Sequence, residues 1–119
     1  MANGDRWTEA RFRAFIISGL RSLSAKWPPK YETKKEAWVR RGIYTCAGFG
    51  RKKPHEAKAR DIQVDHIDPV IDPAIGFVSF DEYVSRLFVE KDKLQVLCKE
   101  CHNRKTSNER QKRKKSNSS

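Results

Sequence analysis

The chain has no run approaching the ~20 consecutive apolar residues of a membrane-spanning helix, and its opening residues, MANGDRW, lack the apolar centre of a signal peptide. Both absences argue against insertion or export, so a cytoplasmic protein without a membrane partner is expected. Cysteine is scarce, with three in 119 residues. In a cytoplasmic chain those thiols point to metal binding or packing rather than to a disulfide. No internal repeat is present, which excludes solenoid and propeller architectures. Acidic residues are the remaining shortage, 15 against 26 Lys and Arg, for a net charge of +11. A field of that sign suits a polyanion, with nucleic acid favoured over an anionic membrane surface.

What is there fits one small domain, too short to bury much surface without help from a metal or a partner. The charge is uneven. Residues 1–60 carry 15 basic against 5 acidic side chains, residues 61–92 carry 2 against 8, and residues 93–119 carry 9 against 2. An acidic centre thus lies between basic arms. Carboxylates gathered in a basic chain suit a divalent cation beside a phosphate backbone, although acidic loops are more often merely solvated.

Trp7, Phe12, Phe15, Ile16, Leu20 and Leu23 recur at helical spacing with Arg6, Arg11, Arg13 and Arg21 among them, predicting a basic amphipathic helix. Pro28 and Pro29 are expected to stop helix. Thr33-Lys34-Lys35-Glu36 has the form of a capping box, predicting a second helix through Trp38 to about Arg41, ended by Gly42. Ile43 to Cys46 is β-prone, Ala47 to Gly50 reads as a turn and Arg51 to Arg60 as a basic loop. Ile62 to Ile67 alternates as a strand. Ser79 to Glu82 has capping-box form ahead of a short helix, Leu94 to Leu97 reads as a strand, and a last helix is expected from about Cys101 into a basic, fraying tail. Trp7, Trp27 and Trp38 are read as packing residues rather than as platforms for bases.

Two distant stretches carry the chemistry: Val64-Asp65-His66-Ile67 and Leu97-Cys98-Lys99-Glu100-Cys101-His102-Asn103-Arg104-Lys105. An Asp-His pair on a strand, a long connection, a second strand and then Cys-x-x-Cys-His opening a helix resembles the HNH (ββα-metal) nuclease family. The resemblance covers roughly residues 43–109 and extends to small free-standing phage-encoded members. It implies an α+β fold in which a helical extension (1–42) precedes a ββα-metal core (43–109) and a basic, disordered tail (110–119). It also implies a DNA endonuclease that nicks one strand per site, leaving 5′-phosphate and 3′-hydroxyl, as a monomer or weak homodimer. His66 would be the general base, and Asp65 and His102 would hold one divalent cation, magnesium or manganese, with zinc or nickel as further candidates.

The residue types suit that chemistry. Phosphodiester hydrolysis needs an in-line hydroxide and positive charge on the phosphorus and the leaving oxygen. Imidazole titrates near working pH, so it can start neutral and accept a proton. Neighbouring strand residues point to opposite faces, so Asp65 and His66 require a bend or a strand end to share one site. His102, Lys105, Thr106 and Glu109 fall on one helix face. Arg104, Lys105, Arg51, Lys52 and Lys93 are the candidates for phosphate contact, as backbone positioning without sequence reading.

The sequence departs from the family pattern at two places. Lys93 stands where many members have an Asn that orients the base, leaving Lys93 to contact DNA or Asp92 or Asn103 to supply the orienting hydrogen bond. Many relatives also carry two Cys-x-x-Cys pairs around a structural zinc, whereas here Phe49 breaks the first. Cys46, Cys98 and Cys101 could form a tetrahedral zinc site with His55, or Phe49 could be an apolar plug with the cysteines as small core residues. A noncatalytic zinc-binding module on nucleic acid is the alternative function.

Overall fold

The computed structural model describes residues 6–117, an α+β arrangement of four helices and two small antiparallel sheets. Helix α1 (Glu9–Ser24) begins where the Thr8 side chain accepts the Arg11 N–H. Its periodic stripe is only partly covered, since Ile16, Ile17 and Leu20 are half-buried while Phe15 and Leu23 remain exposed. Trp7 packs edge-on against Phe15, and Arg11 sits over the Trp7 ring.

The next segment departs from expectation. Pro28 and Pro29 open helix α2 (Pro28–Glu36) instead of stopping it, because the first helical turn needs no proline N–H and its φ is already helical. Thr33 is therefore interior, and its hydroxyl donates to the Pro29 carbonyl one turn back. The capping box does not form. Trp38–Arg40, expected as helix, is strand β1, which turns at Gly42 (φ +77°) into β2 (Ile43–Cys46). That hairpin crosses the boundary drawn between residues 42 and 43. It also leaves Trp38 exposed, against the packing expectation, while Trp27 is tied inward by its Nε1–H to the Val89 carbonyl.

The expected basic loop contains strand β3 (His55–Lys58), which pairs with β2 so that Cys46 lies opposite His55. His55-Glu56-Ala57-Lys58 has little β propensity, so the partner strand supplies what the local sequence does not. Arg40 forks onto Glu56 and ties β1 to β3. The β2–β3 connection needs glycine at position 48, where φ is +82° and a Cβ would lie 2.4 Å from the Lys52 carbonyl oxygen.

Strand β4 (Ile62–His66) pairs with β5 (Leu94–Cys98) in unbroken register from Ile62 opposite Cys98 to His66 opposite Leu94. Between them Ser79 caps α3 (Phe80–Leu87) by accepting the Glu82 N–H, as its sequence predicts. Helix α4 (Lys99–Asn117) follows β5 without a loop. It starts ahead of Cys101 and makes 110–117 helical, where a disordered tail was expected; residues 118–119 of that tail lie outside the described part. Cys46, Leu97, Cys98 and Cys101 form one packed cluster with Phe49 and Ala57 against it, and Tyr83, Leu87, Leu94 and Val96 are also buried.

Leu97 has no exposed surface, so Leu97→Ala is expected to lower the unfolding free energy by about 2–5 kcal/mol. Urea denaturation measures this, and a loss below about 1 kcal/mol would place Leu97 outside the cooperative core.

Candidate functional site

The β2–β3 pairing and the β5–α4 junction bring Cys46, His55, Cys98 and Cys101 together, with their ligand atoms all within 4.8 Å of one another. A tetrahedral ion about 2.3 Å from sulfur and about 2.0 Å from nitrogen needs ligand atoms roughly 3.5–3.8 Å apart. Cys98 Sγ and His55 Nε2 are already at 3.5 Å. A carbonyl only accepts, so His55 Nδ1–H donates to Lys53 O at 2.9 Å; that bond, and then the neighbouring Cys98, raises the ring's pKa, and in its neutral form the ring turns its Nε2 lone pair toward the thiols. Cys46 Sγ accepts the N–H groups of Gly48 and Cys98 at 3.3 and 3.2 Å.

The thiols do not titrate alike. Burial alone would raise Cys98, but the backbone N–H of Cys101 and the neighbouring His55 and thiols bring it down to about 7. Burial, then the adjacent Cys98 and Cys46, pushes Cys101 up to about 12. A cation is what lets several crowded thiols ionise together. These four residues could hold a metal ion. Phe49 packs against the cluster, and His55 supplies the fourth ligand atom that the broken motif lacks.

A second centre lies where α4 meets β4. Asp65 Oδ1 is 3.6 Å from His102 Nε2, while Asp65 Oδ2 takes Lys105 Nζ at 2.9 Å and Gln95 Nε2 at 3.2 Å. One carboxylate oxygen is thus anchored and the other turned to His102. His66 leaves β4 on the opposite face, as alternation requires, and its Nε2–H donates to the Leu87 carbonyl at 2.7 Å. Both side chains still border one cavity of about 690 Å³, because His66 is the last residue of the strand. The strand end expected there is present, and the chain bends at Ile67 and Asp68 directly after it. Burial lowers the His66 pKa more than its carbonyl bond raises it.

His66 is oriented by neither Asp92 nor Asn103, nor by the Lys93 side chain. Asp92 and Asn103 are exposed, and the partner of His66 is the main-chain Leu87 carbonyl. Lys93 contributes its own carbonyl, which accepts the Ile67 N–H at 2.9 Å and ties down the chain after His66. A backbone acceptor at the end of α3 leaves no mark in the sequence.

Lys105 also differs from expectation. Instead of reaching for phosphate, its side chain is about 10% exposed, with Nζ 2.9 Å from Asp65, 3.2 Å from Glu109 and 2.6 Å from the His66 carbonyl. Lys52 and Arg104 share Glu100 at 3.4 and 2.9 Å, away from the cavity, while Arg51 and Lys93 are exposed. Two arginines that the sequence did not single out as site residues, Arg21 and Arg113, do line the cavity, with Thr106 and Glu109.

No helix among the described residues is long and apolar enough to cross a membrane. Neither a family model, nor a curated protein, nor a solved structure matches the chain.

The burial of Lys105 between two carboxylates predicts that Lys105→Ala costs on the order of 3 kcal/mol of stability. A thermal or urea melt within about 0.5 kcal/mol of the parent, as for an ordinary surface lysine, would refute that role.

Proposed function

We propose that the chain is a metal-dependent DNA endonuclease of HNH type, in which β4, β5 and α4 form the ββα unit. The observation that carries this reading is the convergence of Asp65, His66 and His102 on one cavity, with Asp65 Oδ1 and His102 Nε2 3.6 Å apart. A hard carboxylate oxygen and an imidazole nitrogen at that separation fit two ligands of one divalent cation, magnesium or manganese being the simplest choice. Bound there, the cation supplies positive charge for the pentacoordinate phosphorus and the leaving oxygen.

The protein's own residues do the rest. The bond from Nε2–H to Leu87 leaves Nδ1 of the neutral His66 ring as the free acceptor, and burial keeps the ring neutral. Nδ1 takes a proton from water, the resulting hydroxide attacks phosphorus in line, and the bond to the 3′-oxygen breaks; that oxygen takes a proton from solvent, giving 5′-phosphate and 3′-hydroxyl ends. Lys105 and Gln95 hold Asp65 Oδ2, so that Oδ1 keeps its aim at His102. One site cuts one strand, and a monomer therefore nicks.

In the same reading the ion at Cys46, His55, Cys98 and Cys101 is zinc, the borderline-soft cation that three thiolates and an imidazole favour. It braces the β5–α4 junction. One observation favours the competing function, a noncatalytic zinc-binding module on nucleic acid: Lys105 already neutralises Asp65.

Two measurements separate these readings. Supercoiled plasmid with magnesium or manganese is expected to be nicked, and His66→Ala to slow nicking by about 10²- to 10⁴-fold. Equal nicking by the variant, or none by the parent, removes the enzyme. Elemental analysis is expected to find about one zinc per chain after dialysis, lost in Cys98→Ser. A folded, metal-free parent rejects the zinc site.

A further inference from the structure

Arg21 on α1 and Arg113 near the end of α4 come from opposite ends of the chain, 92 positions apart by their numbers, yet border the same cavity as Asp65, His66 and His102. Both are exposed. Among the described residues neither has a carboxylate partner, unlike Lys105, Arg104 and Lys52, whose charges are answered within the chain. Helix α1 is also held to the cavity wall: Arg13 lies 4.6 Å over the Phe77 ring, and Phe77 directly follows Gly76 of the lining loop. The Ser24 hydroxyl takes Lys30 Nζ at 3.0 Å and fixes the end of α1 to α2.

An unanswered guanidinium is a fork of donors matched to phosphate oxygens, and the cleft floor holds acidic groups that a nucleic acid would meet only beside cations. We infer that Arg21 and Arg113 form a two-sided clamp on the phosphodiester backbone, gripping phosphates on either side of the one lying over Asp65 and His102. The site is thereby completed by elements outside the ββα unit. Helix α1 and the outer part of α4 set where the duplex backbone enters and leaves the cleft. The clamp rests on the proposed DNA substrate, but it concerns binding and is measured without cleavage.

The test uses the full chain carrying His66→Ala, a fluorescent 20-base-pair DNA duplex and no added magnesium, with anisotropy read across a salt series. Arg21→Gln and Arg113→Gln are each expected to weaken binding roughly five- to tenfold at low salt and to flatten the plot of log affinity against log salt by about 0.9. Lysine at either position restores the slope, because the charge rather than the fork releases the counterion. Arg60→Gln, an equal loss of charge outside the cavity, serves as the reference. Slopes unchanged by both cleft variants, changes no larger than that of Arg60→Gln, or a parent that does not bind DNA overturns the clamp. With His66 intact, the cleft variants raise KM for nicking and leave kcat near the parent's. A parent that binds with these slopes but never nicks removes the nuclease and keeps the clamp.

Discussion

The packing of Cys46, Leu97, Cys98 and Cys101 sets the corner between β5 and α4, and the place of His102 depends on it. Cys98 ends β5, Cys101 lies one turn into the helix, and both close on Cys46 and His55 across the other sheet. The residue after Cys101 is His102, which meets Asp65. A small domain has too little apolar surface to fix a helix start within a fraction of an ångström by packing alone. A metal ion held by Cys46, His55, Cys98 and Cys101 would cross-link the two sheets at low cost in residues and stiffen the β5–α4 corner.

Electrostatics inside the cleft follows from the same corner. Asp65 and Glu109 face one another across Lys105, and the lysine ammonium, three contacts deep, keeps the two carboxylates from repelling. The acidic middle of the sequence is therefore drawn into ordered pairs only in part. Asp65 is half-buried and engaged, while Asp61, Asp68 and Asp81 remain exposed on the surface. The basic arms divide likewise, some charges being answered by Glu100 and others left open at Arg21 and Arg113.

Much of the element order is legible from residue patterns. The stripe from Trp7 to Leu23, the Ser79 cap, and the short β-prone runs at Ile43, Ile62 and Leu94 each carry their signal within a few residues, and each forms. The failures have a common cause. At Pro28 and Thr33 residue preference misleads, because a proline pair can open a helix as readily as end one, and the hydroxyl four residues on from Pro29 then serves the interior. Trp38–Arg40 and His55–Lys58 are strands only because β2 lies between them. No local pattern announces a strand whose stability comes from its neighbour.

By itself the sequence singled out the side chains that the fold brings together, the Asp-His pair, the three thiols and the histidine that follows the last of them. It also determined the basic field around them. Only the tertiary structure decided what each side chain does: that Lys105 serves the carboxylates instead of a ligand, that a Leu87 carbonyl holds His66, and that His55 joins the thiols. Those outcomes rest on contacts between residues tens of positions apart and, for Leu87, on a backbone atom that every residue shares. Composition and spacing carry no record of either.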